Sequence, residues 1–540
     1  MKKITSAIAR RIQYGMAAFA GVIMTLLLNS CGSAPDAEKM LETIPADAFF
    51  VVRVDAGKII DNAGIELKDD KYVLSDDLDK LYDQLPSDGR DAVDAILKGL
   101  PALDVKTFMV YMYDKERVIA TCGLEHEKEA KLALEKELGK PSSEDGFDVF
   151  DNDGVVIAIK DNQVWLSDKL KYITKALDMA KEKNFTENEA ASAYLMGEHA
   201  IAFTANIASV YDFAISEGGR SAEQQLETFK EYKDSYICMA VDLDGATIKY
   251  TCSAIDNTGK AVAPFQATEM INTDFLGYVP GNAIAVAAMG APTSQVLDQI
   301  NKTTNYRNQE FAKYIDGING TIAFAVVPPA SIGEMFRTEN WGFTLMAHMP
   351  SYLSTDIMNM IVAQFNDPYY YTIVAEGDQY HVTSRYRTLF DSYNIYFGTF
   401  NDYLIISNRR ISGGQSGTSL AKIFEGQRME AYAALSKDNS LVAPLNLPFG
   451  AEAKFIGDSS ESSLSLSLTG TSKKFIEAII SLAADQRLQR NIIEAVNSYS
   501  RQSYQDDYYN YGDSMIAEVE IVDDDYYYGE PVAPAEEYYY

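Results

Sequence analysis

The side chains able to do chemistry are few, and their spacing suits little of it. Four histidines, His126, His199, His348 and His381, are spread over 540 residues. None stands three or four positions from another, so no helix presents a histidine pair to a metal. His126 follows Cys122 by four residues, yet no second pair completes a zinc pattern. Asp151-Asn152-Asp153-Gly154 has the composition of a calcium loop, but that loop needs an acid at 149 and a glutamate at 160, where Val149 and Lys160 stand. A hairpin turn accounts for it. Gly413-Gly414-Gln415-Ser416-Gly417 comes just after Arg409 and Arg410. The phosphate-loop lysine is missing and the run reads as a flexible connector; the alternative is that backbone amides there, beside two guanidiniums, hold an anion. The 78 acidic residues follow no spacing rule that singles out an acid–base pair. The expectation is no catalytic residue, no metal site and no cofactor.

Two groups remain. Cys238 and Cys252 lie in the arms of a hairpin around Asp244-Gly245. With the turn centred near Gly245 their sulfurs sit opposite one another; a disulfide and two buried free thiols are the alternatives. Cys122, inside the apolar run Val118 to Leu124, reads as a core residue. Tyr369, Tyr370 and Tyr371, after Asp367-Pro368, are the aromatic candidates for stacking on a glycan ring.

The fourth cysteine has a different setting. Lys2, Lys3, Arg10 and Arg11 make the amino-terminal region positive, and Met16 to Leu28 is apolar but for Gly21 and Thr25. This run falls short of the ~20 residues a membrane-spanning helix needs and has the length of a signal-peptide core. Leu28-Asn29-Ser30-Cys31 follows and resembles the lipobox of bacterial lipoproteins. The resemblance implies that Cys31 is lipidated and that residues 1–30 are cut away as a signal peptide. The membrane is then a partner through an amino-terminal lipid anchor. Gly32, in place of aspartate, implies sorting to the outer membrane by likeness to proteobacterial lipoproteins. A periplasmic and a surface-facing orientation both stay open.

Removing residues 1–30 takes away four positive charges and no negative ones, so the formal charge of −31 becomes −35. Such a surface repels nucleic acid and anionic head groups. The length calls for two domains. Ile44-Pro45-Ala46-Asp47-Ala48 leads into an apolar strand, and Val279-Pro280-Gly281-Asn282-Ala283 does so again; Val164-Trp165-Leu166-Ser167 is echoed by Leu404-Ile405-Ile406-Ser407. Order and spacing point to an internal duplication. Phe147-Asp148-Val149-Phe150 and Val155 to Lys160 alternate around a turn, a hairpin pattern, and Ser463 to Leu468 alternates as a sheet with one wet face. A helix is expected from Ser472 to about Tyr499.

The fold class expected is α+β, as two similar halves, each an antiparallel sheet with helices packed on one side. The boundaries read as 1–30 signal peptide, 31–43 linker, 44–260 first domain, 275–500 second domain and 504–540 tail. That tail has 11 acids, 10 tyrosines and no lysine or arginine, a composition that favours disorder.

With the lipobox, the Ile-Pro-Ala-Asp-Ala entry and the Val-Pro-Gly-Asn-Ala restart together, residues 31–500 resemble a family of Bacteroidota lipoproteins built on a domain of unknown function. The resemblance implies a cell-envelope location and supplies no activity and no site residues. The functional expectation is a non-enzymatic interaction or structural lipoprotein with a protein or glycan partner. The alternatives are capture of a glycan or peptide ligand and, behind it, an envelope hydrolase.

Overall fold

Apolar side chains that alternate along short runs, broken by Asp, Asn and Gly, specify antiparallel hairpins. The computed structural model of the chain is built from them. It describes residues 37–491 and 494 apart from 85–106, 227–229, 263–267, 293–316, 336–339, 385–393, 413–416 and scattered single or paired positions. Cys31 with its lipobox, His126, the 413–416 glycines and the 504–540 tail lie outside the described residues.

The chain begins with α1 (Ala37–Leu41), β1 (Phe50–Asp55), α2 (Ala56–Asn62), a small separate hairpin of β2 (Glu66–Lys68) and β3 (Lys71–Val73), and α3 (Asp76–Gln84). Next come β4 (Thr107–Asp114), β5 (Arg117–Gly123), α4 (Glu127–Leu138), β6 (Ser142–Glu144), β7 (Phe147–Asn152), β8 (Val155–Lys160) and β9 (Gln163–Ser167). Then α5 (Leu170–Glu182), α6 (Glu189–Leu195), β10 (Ile201–Asn206), α7 (Ile207–Leu226), β11 (Ser235–Asp244) and β12 (Thr247–Asp256) follow. The later part holds β13 (Ala285–Met289), β14 (Ile322–Val327), β15 (Gly342–His348), α8 (Ser351–Gln364), β16 (Tyr371–Glu376) and β17 (Gln379–Ser384). It ends with β18 (Ile395–Phe400), β19 (Tyr403–Ser407), α9 (Gly417–Phe424), β20 (Met429–Leu435), β21 (Gly450–Gly457), β22 (Glu461–Thr469) and α10 (Phe475–Ala484).

Neighbouring strands run β6-β7-β8-β9-β5-β4-β1-β10-β11-β12 in the earlier part and β16-β17-β18-β19-β15-β14-β13-β20-β21-β22 in the later one, antiparallel throughout. β12 pairs with β22, Tyr250 opposite Leu464, and makes the whole a single 20-stranded sheet. Two separate sheets were the expectation; one continuous sheet is the finding. Two tight turns need no glycine: Asp161-Asn162 (φ 50° and 60°) joins β8 to β9, and Asn401-Asp402 (φ 45° and 64°) joins β18 to β19. Both central residues have positive φ, the twist that matches a hairpin, and Asn and Asp tolerate it best after glycine.

Helices cover both faces at the two ends of the sheet, rather than one side. α1, α5 and α6 bury Met40, Leu41, Ile173, Ala176 and Leu195 against Val51, Ile119, Val156, Ala158 and Trp165. On the opposite face α4 buries Ala130 and Leu134 against Ala120, Cys122, Ile157, Ile159 and Leu166. Strands buried on both faces need apolar side chains at every position, which is why β8 and β9 read as unbroken apolar runs. In the later part Phe275, Leu276 and Phe424 cover one face and Leu353 the other. Between these ends lies the β11-β12-β22-β21 region. There the leucine side of β22 is not dry: Leu464 (37% exposed) and Tyr250 (40%) lie with Phe203, Met239 and Phe455 in an open apolar groove of about 410 Å³.

The last helix also departs from expectation. α10 stops at Ala484, where the Asp485 carboxylate accepts from Arg487 N (2.8 Å) and Leu488 N (3.2 Å) and starts a new turn, as an N-cap does. α10 packs back on α2 and α3 of the earlier part. Ile476 N donates to Asn62 Oδ1 (2.8 Å), Lys474 Nζ pairs with Asp61 Oδ1 (2.6 Å), and Asp77 Oδ2 takes Lys473 Nζ and Ser481 Oγ, each at 2.6 Å.

Candidate functional site

A cleft of about 1070 Å³ opens at strand ends of the later part of the sheet. One wall is the segment Pro280-Gly281-Asn282-Ala283. Ala283 N donates to the Pro280 carbonyl (3.0 Å), which closes a turn. Ile284 N then bonds Val326 O, and Ala434 N bonds Ile284 O, at 2.9 Å each, so the turn is fixed between β14 and β20. Pro328 and Pro329 end β14 at the cleft, because neither has an N–H to continue a ladder.

The opposite wall is the end of β19. Asn408 Oδ1 accepts from Phe343 N (2.8 Å) and its Nδ2 donates to Trp341 O (2.6 Å). Ser407 Oγ donates to Phe343 O (2.7 Å) and accepts from Arg409 N (3.1 Å). Arg409 is laid across β15 by its bond from Nη2 to Asn340 O (2.9 Å). Only glycine fits beneath it: a Cβ at Gly342 would come within 2.8 Å of Val327 Cβ and 3.2 Å of Arg409 Nε. Arg410 is different. Its side chain is 70% exposed, with Glu376 Oε2 no nearer than 3.8 Å to its Nε.

Tyr396 forms the third side. His381 stacks on it, centroids 4.1 Å apart and planes within 6°. The imidazole is itself pinned between Glu376 Oε1 (3.2 Å) and Asn394 Oδ1 (3.0 Å). One face of the Tyr396 ring is thereby occupied and its tilt is fixed. Tyr278, whose hydroxyl accepts from Asn401 Nδ2 (2.8 Å), closes the floor beside Phe400 and Tyr403. Burial pushes the Tyr403 hydroxyl up to about 12, so it stays protonated under that floor. The lining offers amides, hydroxyls and two guanidiniums, with Glu334 as the one carboxylate among its described residues. It holds no histidine or cysteine among the described residues.

A second cavity of about 550 Å³ borders Ala46 and Asp47 in the earlier part, beside the ends of β10 and β11. Both copies of the echoed Pro-Ala-Asp and Pro-Gly-Asn segment therefore border a cavity. Their charge differs, since Asp47, Glu182, Glu187 and Asp234 outnumber Lys183 and Lys233 in the smaller one.

The structure treats the sequence candidates unequally. Arg409 and Arg410 come together at the cleft, although the glycines after them lie outside the described residues. Tyr369 and Tyr370 sit on the α8–β16 connection and Tyr371 opens β16; the three do not line the cleft, and they pack on each other, with Tyr369 62% exposed. The Cys238–Cys252 disulfide is not present: both thiols are free. The turn is centred between Gly245 (φ 53°) and Ala246, so Cys238 faces Ser253 and Cys252 faces Met239. That half-residue shift sends the two sulfurs to opposite faces of the sheet. Cys238 and Cys122 are buried as core thiols, whereas Cys252 is exposed in the apolar groove. Asn282 and Tyr396 were not singled out from sequence; the echo around Asn282 was the only signal for either. Among the described residues no group of three His, Cys, Asp or Glu side chains is placed to hold a metal ion, and no helix is long and apolar enough to cross a membrane. Comparison with family models, with curated proteins and with solved structures gave no match.

Proposed function

We propose that this chain is a cell-envelope lipoprotein, anchored through Cys31 and related to the Bacteroidota lipoproteins it resembles, whose body binds a ligand or partner without turning it over. The observation that carries the binding role is the cleft. It is large, positioned by fixed strand ends, and lined by groups that recognise rather than react. The leader and lipobox support the anchor. α1 begins six positions after Cys31, a span of at most about 20 Å, so the body would stay close to the bilayer. Two or more acyl chains are needed for durable attachment, and a diacylglyceryl cysteine supplies them.

The body is an internal duplication in this proposal, made of the parts before and after residue 260. Its support is the pair-for-pair agreement of the two strand orders and the two glycine-free turns at equivalent places.

Two measurements test the reading. Cys31→Ala should leave the protein unprocessed, free of labelled palmitate and absent from the membrane fraction; normal maturation of the variant would overturn the anchor. Crosslinked cells should yield a partner or glycan on the wild-type chain that is lost when Asn282→Trp fills the cleft. An unchanged capture profile would remove the cleft from the function.

A further inference from the structure

Resting on the reading of the cleft as a binding site, we propose that its ligand is an anionic oligosaccharide, with an acid group held by Arg409 and Arg410 and a sugar ring packed on Tyr396. Charge is the first argument. The chain carries 78 acids against 47 lysines and arginines, yet among the described residues of the cleft lining two adjacent arginines stand against Glu334, with Glu376 outside the lining at 3.8 Å from Arg410. An anion repelled by the rest of the surface meets two guanidiniums here. Both cations are arginines, whose planar fork matches a carboxylate or sulfate with two parallel hydrogen bonds. Arg409 is fixed by Asn340 and by the space over Gly342, so little entropy is lost when it binds. Arg410, loosely paired at 3.8 Å, keeps donors for a ligand.

The neutral groups favour a sugar. Tyr396, with His381 behind it, is a rigid aromatic plate of the kind on which the C–H face of a pyranose packs. Side-chain amides such as Asn282 and Asn394 offer a donor and an acceptor side by side, the pattern of vicinal hydroxyls. A volume of about 1070 Å³ is at the upper end for small-molecule sites, which suits several linked rings better than one. An acidic peptide fits less well. β14 and β19 are both hydrogen-bonded on each side, so no strand edge is open to pair with a peptide backbone.

Calorimetric titration of the full chain in detergent with four probes decides the matter: an oligogalacturonate, a sulfated oligosaccharide, a neutral oligosaccharide of equal length, and an oligoglutamate peptide. The expected result is binding of one or both acidic sugars, weakened by salt, with Kd raised about tenfold by Arg410→Gln and binding lost in Tyr396→Ala. Arg409 also clasps a strand end, so the exposed Arg410 carries the charge test free of folding effects, and thermal melts check each variant. Equal binding of the neutral sugar, lost in Tyr396→Ala and untouched by Arg410→Gln, would overturn the anionic class and leave the cleft reading standing. Oligoglutamate as the only ligand would overturn the sugar. No binding of any probe would overturn both this inference and the cleft as a ligand site.

Discussion

Cys122, Cys238 and Cys252 share a side chain and differ in everything around it. Burial pushes the first two thiols up to about 12, whereas Cys252 is exposed and raised less. A maleimide at pH 7.5 is expected to label Cys252 alone in the native chain and all three after denaturation; modification of Cys238 in the native state would contradict the register. The sequence placed both cysteines in the right hairpin and left a disulfide and two buried free thiols open; it did not register that they face opposite sides, because a pairing period of two makes half a residue of turn position decisive. Glu430 is a costlier case. It is 1% exposed, and burial raises its carboxyl above the usual range. Lys454 Nζ lies 3.0 Å from Oε1, a charge pairing without aligned hydrogen bonds to either oxygen. Lys454→Met should destabilise by about 3 kcal/mol in urea unfolding at pH 7, because it strands that charge. A raised acid contributes stability below its unfolded value of about 4.3 and loses it as pH rises. The deficit of the variant should therefore shrink toward pH 4, and a pH-independent deficit would rule the carboxylate out as its cause. A glutamate at an alternating position of Met429–Leu435 gave no hint of this from sequence.

At the scale of elements, the return of α10 to α2 and α3 is held at Asp77. Lys473, Lys80 and Ser481 all hydrogen-bond its carboxylate and hold it far below the usual carboxylate range. A depressed acid contributes fully above its unfolded value near 3.9 and loses that contribution as pH falls toward its folded value. Asp77→Asn is thus expected to cost about 1 kcal/mol at pH 6. Its chemical-denaturation midpoint should converge on the wild type's below pH 4; parallel curves down to pH 2 would show that the clasp is not ionic. Local elements were largely legible in sequence. Phe147 to Lys160 alternates as the hairpin it is, and the strand after Ile44-Pro45 begins within a residue of its expected place. The end of α10 was not, since Leu488 continues the apolar spacing past Asp485 and periodicity alone does not register a capping carboxylate.

For the whole molecule, the joint between β12 and β22 matters most. It links segments more than 200 residues apart, and each strand alone reads as an ordinary edge, so no pattern within either strand announces its partner. The cleft was legible to a similar degree: its arginines stood out as a pair, while Asn282 and Tyr396 reach it only through long-range pairing. A chain ending at residue 260 should expose β12, ten residues long, together with Phe203, Met239 and Tyr250 of the apolar groove, and lose the α10 clasp. Such an edge is a template for association, so size-exclusion chromatography is expected to find that fragment aggregated; a monodisperse folded fragment would mean the joint is dispensable. The same architecture also governs how the body would answer to force. β1 is the first strand met from the amino-terminal end, and it lies deep in the sheet, bonded to β4 along one side and β10 along the other. Tension along its axis meets both ladders in shear, where many hydrogen bonds must fail together, whereas an edge strand would unzip one bond at a time. A body hauled on from its amino-terminal end would thus resist extraction at a strand held by ladders on both sides.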